Sequence, residues 1–126
     1  MIKSINIELF RNISQYEFDE KYFDFHNDFD CIKLLLLTGN KFVLIFKNVL
    51  NEKIVKLKFS DVLIERMEMF NFNKVENLTI DNLYRGKTVI NGKLVEFKDD
   101  DKGYYYLEFY EGQKLEYWST GVDIEM

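Results

Sequence analysis

The chain is 126 residues long, the size of one ordinary domain, and its 47% hydrophobic and 17% aromatic content excludes a disordered segment. It contains neither Pro nor Ala, and because Ala is the best helix former while Phe, Tyr, Ile and Val favour strands, the composition predicts a sheet. The net charge of -5 is uneven: residues 94–126 carry nine acidic residues against three Lys, which argues against a nucleic acid as the partner.

The N-terminal residues lack the continuous apolar stretch of an export signal, because charged and polar residues interrupt it between Lys3 and Glu8. Purely apolar runs such as residues 34–37 are far shorter than the roughly 20 residues of a membrane-spanning helix. With Cys31 as the only cysteine, the chain can form neither an intramolecular disulfide nor a cysteine cluster for zinc. We therefore expect a single cytoplasmic domain over residues 1–126 that does not associate with membranes.

The first predicted element is a strand in which Ile5, Ile7 and Leu9 alternate with polar neighbours. Residues 14–17 then fit a capping box, with Ser at the first position and Glu three residues later, and this predicts a short helix that runs to about Phe23. After Phe23 the apolar spacing no longer follows the 3.6-residue period of a helix.

A β-hairpin is predicted next, because apolar runs at residues 31–37 and 41–47 flank Thr38-Gly39-Asn40, a short loop that contains Gly. Residues 54–59 then alternate apolar positions with Lys, and residues 61–70 continue as another strand-like segment. Both segments predict further strands.

The strongest hairpin signal is Asn91-Gly92 between two apolar runs, because both central residues of a type I′ turn need positive φ. One more hairpin is predicted around residues 111–113, and its core face carries Tyr105, Leu107 and Phe109. Such closely spaced strands predict a mainly β fold: a single antiparallel sandwich or partly open barrel of about eight short strands, together with the short N-terminal helix.

The stretch YFDFHNDFD, residues 22–30, surrounds the only histidine, His26, with Asp24, Asp28 and Asp30. If it were extended, these four side chains would share one face and could offer ligands to a divalent cation. Side chains on one face of a strand point in parallel and do not converge, so we favour a turn at Asn27-Asp28 with His26 hydrogen-bonded between aromatic neighbours. We expect no catalytic residue, metal or cofactor, and the motif of His26 and Asp28 is left without an assigned role.

A polar-aromatic face is predicted on the last hairpin. Tyr104, Tyr106 and Tyr110 bracket Glu108, while Trp118 lies on the returning strand. Such a mixture of rings and acid is common at protein interfaces, although the same rings could form cross-strand pairs or a second core.

Three acids, Asp99, Asp100 and Asp101, precede this hairpin. No register of the surrounding residues fits a calcium-binding EF-hand loop, so we predict a solvated loop. We count these acids, with the polar-aromatic face, as the candidate binding interface for a protein partner.

The order of three segments is similar to that of a known group of proteins: FHND at residues 25–28, KLKFSDVLIERMEMFNFNKVENLTI at 56–80, and LEFYEGQKLEYWSTGVDIE at 107–125. Over most of its length the chain resembles small bacterial immunity-type proteins of polymorphic toxin systems. The resemblance implies a cytoplasmic protein that binds and silences one specific toxin without catalysis of its own. A basic toxin domain would match the acidic C-terminal third, because complementary charge speeds association.

Two alternatives stay open. A small ligand- or metal-binding β-barrel that uses the His26 cluster would retain its metal or ligand during purification. A structural subunit of a larger assembly would associate with itself. The sequence predicts no oligomeric state.

Overall fold

All the regular structure in the described residues is β-strand. The computed structural model describes residues 2–3, 15–18, 21–68, 78–85, 87–96 and 102–126. The strands are β1 Ile2–Lys3, β2 Gln15–Phe18, β3 Lys21–Asp24, β4 Phe29–Leu37, β5 Lys41–Asn48, β6 Ile54–Ser60, β7 Leu63–Glu68, β8 Ile80–Arg85, β9 Lys87–Ile90, β10 Lys93–Glu96, β11 Gly103–Phe109, β12 Lys114–Ser119 and β13 Gly121–Glu125. Within these ranges there is no helix of the length and apolarity needed to cross a membrane.

Two antiparallel sheets contain most of the strands. The larger sheet has the order β1-β13-β6-β5-β4, and the smaller has the order β7-β12-β11-β8. Two further pairs, β2 with β3 and β9 with β10, form separate two-stranded ribbons. The predicted mainly β, antiparallel architecture is confirmed, while the number of strands exceeds the eight or so expected because the ribbons and the short β1 add to the two sheets.

The predicted hairpins are confirmed. Strands β4 and β5 are joined by residues 38–40, and β11 and β12 by residues 110–113. In the hairpin of β9 and β10, Asn91 and Gly92 have φ angles of 51° and 76°, as a type I′ turn requires. Turn chemistry alone was sufficient to locate these connections.

The predicted N-terminal helix is wrong. Residues 15–18 and 21–24 are instead strands β2 and β3, which pair antiparallel from Gln15 with Asp24 to Phe18 with Lys21. A capping box supports only the first turn of a helix. The aromatic residues of these segments favour strands, and each segment can pair with the other across a short turn. The strand predicted at residues 5–9 lies outside the described residues.

The core lies between the two sheets and is rich in aromatic rings. Four strands contribute alternate residues to its centre: Phe42, Leu44 and Phe46 of β5, Val55, Leu57 and Phe59 of β6, Tyr105, Leu107 and Phe109 of β11, and Leu115 and Tyr117 of β12. Rings from opposite sheets meet edge to face, with centroids 5.3 Å apart for Phe42 and Tyr117 and 5.0 Å apart for Phe59 and Tyr105. The predicted core face of β11 is therefore confirmed.

The chain crosses twice between the sheets at one place, which we call the corner: residues 60–62 and 119–121. The carbonyl oxygen of Ser60 accepts hydrogen bonds from Ser119 Oγ at 2.7 Å and from the Thr120 amide at 3.1 Å. Thr120 Oγ1 also donates to Asp61 Oδ2 at 2.7 Å, and Asp61 has a positive φ of 50°. These bonds join β6, β7, β12 and β13 at one end, as in a partly open barrel.

Candidate functional site

The His26 motif is a tight turn between β3 and β4. The carboxylate of Asp24, at the end of β3, accepts hydrogen bonds from the amides of His26 at 3.1 Å and Asn27 at 2.9 Å. The side-chain amide of Asn27 donates to the second oxygen of Asp24 at 2.9 Å. Because the Asp28 amide also donates to the Asp24 carbonyl oxygen, at 3.0 Å, Asp24 organises the whole turn.

The His26 ring fastens this turn to the smaller sheet. His26 Nδ1 lies 2.6 Å from the carbonyl oxygen of Ile80 at the start of β8. A carbonyl oxygen can only accept, so Nδ1 carries the proton and donates. Phe25 and Phe29 on either side of the turn are buried, and the ring centroids of Phe25 and Phe46 are 4.8 Å apart. The predicted hydrogen-bonded turn between aromatic neighbours is confirmed.

This geometry does not bring the acids of the motif together. Asp24 is buried in the turn, Asp28 is exposed after it, and Asp30 lies within β4. In the part of the chain that the structure describes, no group of three or more His, Cys, Asp or Glu side chains could hold a metal ion. The hydrogen bonds of Asp24 and His26 make the motif a junction between β3, β4 and β8.

Cys31, next to the motif, is fully buried at the start of β4. Burial raises the pKa of its thiol to about 12, an effect that the hydrogen bond to the Lys33 carbonyl oxygen only partly offsets. The thiolate is the nucleophilic form, so Cys31 is an unreactive core residue.

The polar-aromatic face is largely buried. Tyr104 is 6% exposed and Tyr106 is 5% exposed. The Tyr104 hydroxyl donates to Glu116 Oε1 at 3.0 Å, and Arg66 of β7 reaches Glu116 Oε2 at 3.5 Å. Glu116 is itself buried and was missed by the sequence analysis, because its position opposite Tyr106 across β11 and β12 depends on the pairing register.

A second hydrogen-bonded pair lies beside the first. The Tyr106 hydroxyl donates to Glu108 Oε2 at 2.9 Å, and Lys114 lies 3.5 Å from the same oxygen. Burial, and then the hydrogen bond to a carboxylate, raise the pKa of both Tyr104 and Tyr106. These buried side chains are already hydrogen-bonded within the chain, so they stabilise the smaller sheet.

The remaining predicted interface residues differ in their exposure to solvent. Trp118 is half-buried and its ring meets Tyr104 edge to face, with centroids 5.0 Å apart. Tyr110 stands at the turn after β11 and is 76% exposed. The acids Asp99, Asp100 and Asp101 lie outside the described residues. Tyr110 is thus the predicted interface residue that the structure leaves open to a partner.

A cavity of about 720 Å³, which the sequence analysis missed, opens beside the loop between β5 and β6. Its apolar lining includes Phe23, Phe29, Ile54 and Val55. Met126 and polar residues of the loop and of the His26 turn also line it, the polar residues being Asp28, Asn48, Asn51 and Lys53. The segments that form it are distant in sequence, so no local pattern could have indicated it.

The tip of the same loop exposes two apolar side chains, Val49 at 52% and Leu50 at 88%. The loop is nevertheless well fixed: Asn48 Oδ1 accepts from the amides of Leu50 at 2.9 Å and Asn51 at 3.2 Å, and the Asn48 amide donates to the Lys53 carbonyl oxygen at 2.8 Å. The exposed tip is therefore held in one conformation.

No family model, curated protein or solved structure matches this chain. The resemblance to immunity-type proteins stays a prediction.

Proposed function

We propose that the chain is a non-catalytic cytoplasmic protein of immunity type, which neutralises one specific toxin by direct binding. The observation that carries this proposal is the exposed ring of Tyr110. Its turn is fixed, because the Tyr110 amide donates to the Thr79 carbonyl oxygen at 2.8 Å and the Gly112 amide to the Phe109 carbonyl oxygen at 2.9 Å. A large ring on a rigid turn offers contact area at little cost in conformational entropy, as aromatic anchors of interfaces do.

The negative charge of Glu111 and of the C-terminal segment fits a basic partner. Glu111 follows Tyr110 directly and is exposed, although its carboxylate also accepts from the Thr79 amide at 3.1 Å. Residues 94–126 carry nine acids against three Lys, and Asp99, Asp100 and Asp101 belong to this excess. An excess of negative charge attracts a basic toxin domain and raises the rate of association.

The buried part of the polar-aromatic face has a supporting role in this proposal. The hydrogen bond from Tyr104 to Glu116 and the ion pair of Lys114 with Glu108 join β12 to β11, and the bond from Tyr106 to Glu108 fixes side chains within β11. The alternative function, a ligand- or metal-binding barrel centred on His26, draws less support because Asp24 and His26 Nδ1 are occupied in the turn.

The test is affinity purification of the tagged full chain from its native cells, followed by identification of bound proteins and by affinity measurement. We expect a stoichiometric basic toxin domain. Tyr110→Ser should weaken its binding by about tenfold, because an anchor ring typically contributes more than 1 kcal/mol. Tyr110→Phe, which keeps the ring, should bind within about threefold of the wild type.

Two results would contradict the proposal in different ways. Equal affinity of Tyr110→Ser and the wild type would remove the Tyr110 turn from the interface. A purified chain without any stoichiometric protein partner, or with a bound metal or small molecule instead, would count against the binding function itself.

A further inference from the structure

We propose that the cavity beside the β5–β6 loop and the exposed tip of that loop form one docking site for an extended segment of a partner protein. The segment presents a large apolar side chain flanked by an acidic and a basic residue. This inference rests on the proposed function, because it names the chemistry that the partner brings to a second contact.

The apolar part of the site requires an apolar side chain. Phe23, Phe29 and Val55 line the cavity and are buried, and two exposed apolar residues, Ile54 and Met126, line it as well. A volume of about 720 Å³ lies within the range of roughly 300–1,000 Å³ of known ligand sites, ample for one large side chain and part of its backbone.

Two lining residues of opposite charge supply the polar part. Lys53 and Asp28 are both exposed, and no ion pair joins either of them to another residue in the described part of the chain. By contrast, neighbouring Lys47 pairs with Glu52 at 3.7 Å. A ligand that carries both signs of charge would complement Lys53 and Asp28 together. A simple anion would be repelled by the Asp28 carboxylate, and a simple cation would be repelled by the Lys53 ammonium.

The loop tip distinguishes a polypeptide from a small molecule. Val49 and Leu50 lie between the cavity-lining residues Asn48 and Asn51 along the chain, so the exposed apolar tip is next to the cavity. A small molecule that filled the cavity would leave Leu50 in water. A polypeptide segment that inserts one side chain would cover the tip as well, and the fixed loop would lose little entropy on binding.

The experiment uses a phage-displayed library of random twelve-residue peptides, selected on the immobilised full chain. Enriched peptides are synthesised, and their affinities are measured together with amide chemical shifts of the ¹⁵N-labelled full chain. We expect peptides that combine a large apolar residue with an acidic and a basic one, and shift changes concentrated in residues 48–55 and around Asp28.

Variants with matched controls locate the contact. Leu50→Asp and Lys53→Glu should each weaken peptide binding by at least about tenfold. Ile90→Asp, on a different exposed hairpin, and Lys33→Glu, on β4, make the same chemical changes elsewhere and should leave the affinity within about twofold. All four positions are exposed, and the unfolding transition of each variant verifies its fold.

Three results would overturn the inference: no enriched peptide, shift changes that map elsewhere, or affinities that Leu50→Asp and Lys53→Glu leave unchanged. Saturable binding of the dye 1-anilinonaphthalene-8-sulfonate in the cavity, without any enriched peptide, would assign the cavity to small molecules and would also overturn it. A stoichiometric native partner that binds Leu50→Asp as tightly as wild type would overturn this docking site while leaving the proposed function intact.

Discussion

Two buried tyrosines of the smaller sheet have hydroxyl groups in opposite situations. The Tyr117 hydroxyl lies in the core, and nothing in the described part of the chain is within hydrogen-bonding distance of it. The Tyr104 hydroxyl donates to the buried carboxylate of Glu116. The same substitution, Tyr to Phe, should therefore have opposite effects on stability at the two positions.

We predict that Tyr117→Phe raises the free energy of unfolding by about 1 kcal/mol, because a buried hydroxyl without a partner loses its hydration on folding. Tyr104→Phe should lower it by about 1–2 kcal/mol, because a hydrogen bond to a charged group is removed. Urea unfolding of the two variants measures both values. A loss of stability in Tyr117→Phe as large as in Tyr104→Phe would mean that the Tyr117 hydroxyl has a partner in solution.

At the scale of elements, the turn between β3 and β4 depends on one carboxylate. Asp24→Asn should lower the free energy of unfolding by about 1.5 kcal/mol, because the charged acceptor of three hydrogen bonds becomes neutral and gains a donor that faces the Asn27 side-chain amide. Asp28→Asn makes the same charge change at an exposed neighbour and should stay within about 0.5 kcal/mol of the wild type.

Thermal and urea unfolding of both variants provide the measurement. If Asp28→Asn proved as destabilising as Asp24→Asn, the loss of stability would not come from the hydrogen bonds that Asp24 accepts in the turn. That result would contradict the prediction.

The sequence predicted those elements whose cause is local. Asn91-Gly92 specifies a type I′ turn by itself, and Glu111-Gly112-Gln113 likewise marked a hairpin. The capping box at residues 14–17 was equally local, but there the pairing of β2 with β3 determined the structure. Local chemistry predicts an element only where no nearby pairing competes with it.

The candidate site was harder to predict because it depends on which surfaces are covered. Alternation correctly placed Tyr104 and Tyr106 on the face opposite the core, yet both are buried on that side too. The hydrogen bond of Tyr104 with Glu116 depends on the register of the β11–β12 hairpin, and the corner bond of Ser119 with Ser60 depends on the order of the strands. Neither has a local signature in the sequence.

At the scale of the whole molecule, several buried acidic groups make the fold sensitive to alkali. Burial raises the pKa of Cys31, Tyr104, Tyr106 and Tyr117. In the unfolded chain a thiol and a phenol lose their protons near about pH 8.5 and 10, whereas the folded state keeps them. Above about pH 8.5 the folded state therefore binds more protons than the unfolded state, and stability falls as the pH rises.

We expect the urea midpoint to fall steadily from pH 8.5 to pH 10.5. Tyr117→Phe, which lacks one of the four groups, should show a shallower decline than the wild type. A midpoint that stays constant over this range would contradict the assignment of these groups as buried and protonated.

The antiparallel pairing of β6 with β13 has a consequence for synthesis. Ser60 at the end of β6 pairs with Gly121, so one side of β6 has no partner until β13 has been translated. At about 5–20 residues per second, a ribosome needs roughly 3–12 s to add the roughly 60 residues between them. Lys56 and Lys58, which form ion pairs with Glu125 in the folded chain, give the unpaired edge of β6 a positive charge. Charged strand edges resist pairing with other chains. We therefore expect these lysines to disfavour pairing of the open edge of β6 with another chain before β13 joins the sheet.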